Sequence, residues 1–183
     1  MLSSELIPFA VVSLVSLIAC VTDVRSFRIP NTITVPLGVS GIVYHGIVYG
    51  VAGLQNSILG FLFGGLVLIL LYLIGGMGAG DVKLLAASGA WLGIPVIVYV
   101  FIVAATLGSL YSLGVLVSQG RLISAVTTIQ VAFHQLVALG RHLGTEERVE
   151  AIVEQGDRHK RLLPFAVMIA IGVIVTMIGV YLV

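Results

Sequence analysis

Apolar runs long enough to cross a lipid bilayer recur along this chain, and that recurrence restricts its fold more than any other feature. Crossing roughly 30 Å of hydrocarbon takes about 20 helical residues. Runs of that kind lie at about 6–24, 32–50, 57–75, 96–117 and 162–183, with a shorter run of smaller residues at 81–93. The expectation is an all-α polytopic membrane protein of about six transmembrane helices, forming a single membrane-embedded domain over 1–183. Composition supports it: 59% of residues are hydrophobic, 9% are charged and the mean hydropathy is +1.19. A soluble domain has about 25% charged residues and too much surface to hide such an apolar excess.

The breaks between runs set the order of the spans. Ser26 to Asn31 interrupts the first two runs, and Val51 to Asn56 reads as a short turn. Gly75 to Gly80 is too rich in glycine to hold a stable helix. Gly93 and Pro95 close the short fourth run. The one long polar stretch, 118–161, carries an amphipathic stripe at Leu122, Val126, Ile129, Phe133 and Leu136. Thr145 ahead of Glu146 and Glu147 marks the start of a second small helix ending near Gly156. Met1 to Pro8 has no basic residue and contains Glu5, so the first run reads as a retained helix, not a signal peptide.

Basic residues concentrate in cytoplasmic loops. With the N-terminus outside and six spans threaded, Arg25, Arg28, Lys83, Arg121, Arg141, Arg148, Arg158, Lys160 and Arg161 all reach the cytoplasmic side, which accounts for all 9 lysines and arginines. The same threading puts both termini outside and makes 118–161 a cytoplasmic segment between the fifth and sixth spans. It also brings two acids together. Asp23 ends a helix running inward, Asp81 begins one running outward, and two spans separate them, so both carboxylates arrive at one face.

An ionised carboxylate within a membrane costs about 2.5–3.5 kcal/mol on insertion scales and faces the bundle interior or a wet cavity. Two carboxylates in one wet pocket repel, so one keeps its proton while the other ionises. Such a pair supplies a general base for water and a general acid for a carbonyl oxygen, and titrates as a unit. Each aspartate also has a simpler local reading: Asp23 bonding Arg25 or Arg28, and Asp81 capping its helix and balancing Lys83. Both acids on one face beside Gly78-Ala79-Gly80 favour the catalytic reading, because glycines let an extended substrate backbone approach. A nucleotide loop is a poor fit, since no Ser or Thr follows Lys83 and no strand precedes the glycines.

The segment Asp23-Val24-Arg25-Ser26-Phe27-Arg28-Ile29-Pro30-Asn31, followed after two spans by Gly78-Ala79-Gly80-Asp81-Val82-Lys83, resembles the type IV prepilin peptidases of the GxGD aspartic protease class. There, a first aspartate precedes an Ile/Leu-Pro-Asn/Asp element at fixed distance, and a second lies in a GxGDxK loop. The resemblance implies a prokaryotic inner-membrane endopeptidase of about six helices. It would cut the basic leader from prepilin or pseudopilin substrates at the cytoplasmic face. Carried over, Asp23 and Asp81 form the catalytic dyad, Gly78 and Gly80 shape the approach, and Lys83, Pro30 and Asn31 hold the geometry that positions substrate. Many bacterial members also N-methylate the new N-terminus and carry a cytoplasmic N-terminal region with paired cysteines. This chain opens on its first span with one cysteine elsewhere, so the expectation extends to the peptidase activity. In this respect it is closer to the short members of tight-adherence (Flp-type) pilus systems or to archaeal relatives.

Other features suggest no second chemistry. Cys20, alone, excludes an internal disulfide and a cysteine-based zinc site, and reads as a small buried or lipid-facing residue. His45, near the outer end of the second span, and His134, His142 and His159 read as interfacial or solvated, without metal-ligand spacing. No cofactor or metal is implied, and a net charge of +1 gives no reason to expect a nucleic-acid partner. Gly46/Gly50, Gly60/Gly64 and Gly89/Gly93 have the spacing of close helix packing, within the molecule more readily than between copies. Glu146, Glu147, Glu150 and Glu154 read as a solvated helix face; attracting a basic leader is the alternative. Two functional alternatives stand beside the protease: a small proton- or cation-coupled transporter component using the paired aspartates, and a purely structural assembly protein. Transporter sites tend to lie near the midplane, whereas these aspartates reach one interface.

Overall fold

The computed structural model describes residues 2–26, 29–73, 78–118 and 165–182. Among them it is all-helical, with α1 over Leu2–Ser26, α2 over Asn31–Leu73, α3 over Ala79–Leu92, α4 over Val96–Ser118 and α5 over Phe165–Leu182. Three helices carry windows long and apolar enough to cross a membrane: Leu6–Asp23, Asn31–Ile69 and Val96–Val115. Phe165–Val180 in α5 is apolar but shorter. The expected segment 118–161, with its amphipathic stripe, its acidic helix and three of the histidines, lies outside the described residues beyond Ser118.

At 43 residues, α2 is twice the length of a single crossing, and Gly50 divides it (φ 65°, ψ −147°). That backbone conformation is essentially reserved for glycine. On a continuous helix, positions 38 and 61 would be about 34 Å apart. Instead a Cβ added to Gly38 would lie 3.6 Å from the Phe61 ring. So α2 is a hairpin with arms before and after Gly50. The turn expected over Val51 to Asn56 is helical, and the reversal takes one residue. Gly46 and Gly50 therefore do not form a packing pair: Gly46 touches only Leu54 and nothing lies within 4 Å of a Cβ on Gly50.

Both arms close on α3. From Asp81 to Leu92 every α3 residue except Lys83 is buried. The contact surface is made of small residues. A Cβ on Gly41 would lie 2.7 Å from the Trp91 ring, and one on Gly64 would lie 2.6 Å from the Leu85 carbonyl oxygen. Gly60 and Gly89 touch backbone to backbone, each occupying the space that the other's Cβ would need. Here the glycine spacing serves helix packing, as expected. The remaining sides are closed by α1, α4 and α5, with α5 between α1 and α4 and Gly172 of α5 against Val100 and Ala104. Leu68, Leu84, Leu85, Ile97, Val100, Ile169 and Val173 form the fully buried centre.

Two further expectations change in detail. Ala79 and Gly80, placed in the glycine loop, already belong to α3, so Asp81 lies in its first turn. His45, expected to be interfacial or solvated, is 7% exposed. Its Nε2 lies 2.7 Å from the Trp91 carbonyl oxygen. Burial is possible because its polar edge meets a helix-end carbonyl, which otherwise lacks a donor.

Candidate active site

The two aspartates occupy the same end of the bundle because of how the chain turns there. After α1, Pro30 cannot donate a backbone bond but its carbonyl accepts the first bonds of α2, from Ile33 at 3.1 Å and Thr34 at 3.4 Å. The first arm leaves from that point, the second returns, and Gly78 starts α3 in extended conformation, accepting from the Asp81 N–H at 3.1 Å. The two connections meet. A Cβ on Gly80 would lie 3.1 Å from the Ile29 Cβ, and the Lys83 ammonium donates to Asn31 Oδ1 at 3.0 Å. Residues 52 positions apart thus join the Ile-Pro-Asn element to the Gly-x-Gly-Asp turn.

Each carboxylate is buried, Asp23 at 6% exposure and Asp81 at 5%. Asp23 continues the buried stripe of α1 through Val12, Ser16 and Ala19, while Arg25 is exposed. Successive helical residues step by about 100°, which puts Asp81 about 120° from Ala87 and about 140° from Ala86. Ala87 faces Gly38 on the first arm and Ala86 faces Gly65 on the second. Asp81 therefore takes the third side of α3, where α1, α4 and α5 pack. As a first-turn acid, Asp81 also sits where the helix dipole favours negative charge.

Of the other expected site residues, Gly78 is buried and opens α3, and Gly80 is held against Ile29. Pro30, Asn31 and Lys83 form the exposed seam between the two connections. Cys20 is half-buried on α1, three residues before Asp23. Sequence reasoning missed the far end of α3, where His45, Ser57 and Trp91 are buried polar groups of three different helical segments. A serine and a histidine within apolar runs were the available signal.

A model of the type IV leader peptidase family matches residues 10–113, more than half of the chain, from within α1 into α4 and including both aspartates. Among curated proteins, a prepilin leader peptidase/N-methyltransferase of Escherichia coli (strain K12) is 35% identical over 127 residues, covering 66% of this chain and 54% of that protein. One of Bacillus subtilis (strain 168) is 34% identical over 113 residues, 60% of this chain and 45% of the relative. One of Aeromonas salmonicida (strain A449) is 35% identical over 101 residues, 51% of this chain and 34% of the relative. The chain thus spans between about a third and a half of the length of these relatives. No solved structure matches it. The transporter alternative gains no support from these matches.

Proposed function

This chain belongs to the type IV leader peptidase family, and from that premise we propose that it is an aspartic endopeptidase removing the basic leader of prepilin-like substrates. The observation that carries the reading is the pair of buried carboxylates at one end of the bundle, Asp23 on the inward stripe of α1 and Asp81 on the side of α3 that the α2 hairpin leaves to other helices. One carboxylate, ionised, takes a proton from water as the oxygen attacks the scissile carbonyl. The other, protonated, gives its proton to the carbonyl oxygen. Collapse of the tetrahedral intermediate breaks the C–N bond, and the new amine leaves with a proton returned by the pair. Gly78 and Gly80 leave room for the substrate backbone, and the Lys83–Asn31 contact with Pro30 holds the two motif-bearing connections together.

In this reading the chain crosses the inner membrane six times, the arms of α2 counting as two. The aspartate end faces the cytoplasm, as does the segment 118–161, and both termini face outward. The distribution of lysine and arginine supports that orientation. The test is co-expression of the full chain with a prepilin-like substrate bearing a basic leader ahead of an apolar helix. Asp23→Asn and Asp81→Asn are each expected to lower cleavage by about 10²–10⁴-fold, the usual contribution of a general acid or base, while the protein still accumulates in the membrane. Cleavage at the unmodified rate by either variant would remove that residue from the dyad.

A further inference from the structure

The end of α3 opposite Asp81 is fastened in a way that packing alone does not require. A helix leaves its last four carbonyls without intrahelical donors. In α3 the cap residue's own N–H, Gly93, bonds Gly89 at 2.8 Å, and two more carbonyls are bonded by side chains of α2: Ala90 accepts from Ser57 Oγ at 2.6 Å and Trp91 from the His45 imidazole at 2.7 Å. Because a carbonyl only accepts, His45 Nε2 must carry the proton. The Trp91 indole N–H donates to the Leu37 carbonyl at 2.8 Å, with Ser40 Oγ at 3.3 Å, and its ring stacks on Tyr44 at 5.0 Å. His45 and Leu37 belong to the first arm of α2 and Ser57 to the second, so both arms grip the same turn.

Where α3 meets the two arms most closely, over 86–90, the surfaces are Gly38, Gly41, Gly60, Gly64 and Gly65 against Ala86, Ala87, Gly89 and Ala90. Such surfaces allow close approach, but offer few projections to resist sliding or rotation about the axis. The N-terminal cap, Gly78, makes no side-chain capping bond. Beside the buried Leu84 and Leu85 and the Lys83–Asn31 contact near the other end, directional bonds at the far end therefore help to fix α3 axially and in rotation. Asp81 is ten residues from Trp91, about 15 Å along a rigid helix. A slip of one residue turns it by about 100°, away from the side open to α1, α4 and α5.

We propose that His45, Ser57 and Trp91 are remote positioning residues that set the register of α3 and thereby aim Asp81. The proposal rests on Asp81 being catalytic, and its test separates the two ideas. In a Cys20→Ser background, Ile29→Cys with Gly80→Cys places two Cβ atoms 3.1 Å apart, a few tenths of an ångström inside the roughly 3.5–4.5 Å of a disulfide. The rate of that crosslink in native membranes reports the register of the N-terminal end of α3 without needing activity. Adding His45→Leu or Ser57→Ala is expected to slow the crosslink severalfold. In the otherwise unmodified chain, the same substitutions are expected to lower kcat for a prepilin-like substrate by roughly ten- to a hundredfold, the scale of a misplaced group, with KM little changed. His45→Gln, which keeps an N–H donor, is expected to restore most of both; Trp91→Phe, which keeps the ring and removes the N–H, is expected to behave as Ser57→Ala does. Should His45→Leu fail to accumulate, Ser57→Ala carries the test. Unmodified crosslinking and kcat in the anchor variants, with Asp81→Asn inactive, would overturn the anchor and leave the dyad standing. An active Asp81→Asn would overturn the dyad, and slowed crosslinking would still establish the register role.

Discussion

An aspartate in an apolar chain is visible because it is costly, and its neighbours make it specific. Both Asp23 and Asp81 were legible in this sense: each interrupts a long uncharged stretch, and each stands beside a short motif. The contact between those motifs was less so. That Lys83 would reach Asn31, rather than only balance Asp81, depends on a hairpin that returns α3 to the start of α2. Lys83 is exposed, so the contact should contribute about 1 kcal/mol or less. Lys83→Met and Asn31→Ala are accordingly expected each to reduce cleavage a few-fold and, combined, to reduce it little further. Full additivity in a double-mutant cycle would show that the two side chains act apart. If one carboxyl must be ionised and the other protonated, cleavage by the unmodified chain should follow a bell-shaped pH profile, both limbs belonging to the pair. A profile with one limb would contradict it. His45 was misread because its partner is 46 residues away, and a histidine near a span end resembles an interfacial one until that partner is known.

Among the elements, glycine is the residue whose roles the sequence confuses most. Gly46, Gly50, Gly60, Gly64 and Gly89 occur at similar spacings, yet one makes a reversal and others make a contact surface. Paired substitutions distinguish them. Gly50→Ala meets no neighbour but must adopt a backbone conformation that costs about 1–3 kcal/mol. Gly46→Ala, helical and with its nearest atom at 3.8 Å, should be neutral or stabilising by up to about 1 kcal/mol. Gly89→Leu drives a side chain into the backbone of Gly60, which cannot move aside, and should cost about 3 kcal/mol or more. Thermal unfolding in detergent micelles orders the three, and a Gly50→Ala protein as stable as Gly46→Ala would contradict the glycine-only turn. The short α3 looked weak in sequence because it has few large residues. That same feature lets two arms close on it.

For the whole molecule, the apolar runs gave the all-helical class and the approximate place of the described helices, since length and hydropathy are local properties. The pairing of helices was not legible, because α3 buries glycine and alanine on one side and an aspartate on another, with no single apolar stripe to mark a face. Orientation is tested by thiol labelling in a Cys20→Ser background. Arg25→Cys and Lys83→Cys, both exposed at the aspartate end, should react with a membrane-impermeant reagent only from the cytoplasmic side. Val51→Cys, 72% exposed beside the Gly50 reversal, should react only from outside. Labelling of all three from one side would break the threading.

The enclosure of α3 also bears on how the protein is made. Its 14 residues measure about 21 Å, short of a crossing, and include Asp81 and Lys83. Charged residues of this kind oppose partitioning of a nascent segment into lipid. The preceding hairpin is richly apolar and emerges from the ribosome first. It can settle in the bilayer and present a glycine-lined slot. α3 is then expected to leave the translocon into protein, not lipid, its C-terminal carbonyls meeting donors on the hairpin. Asp81 is thus delivered by a segment whose solvent is the chain synthesised just before it.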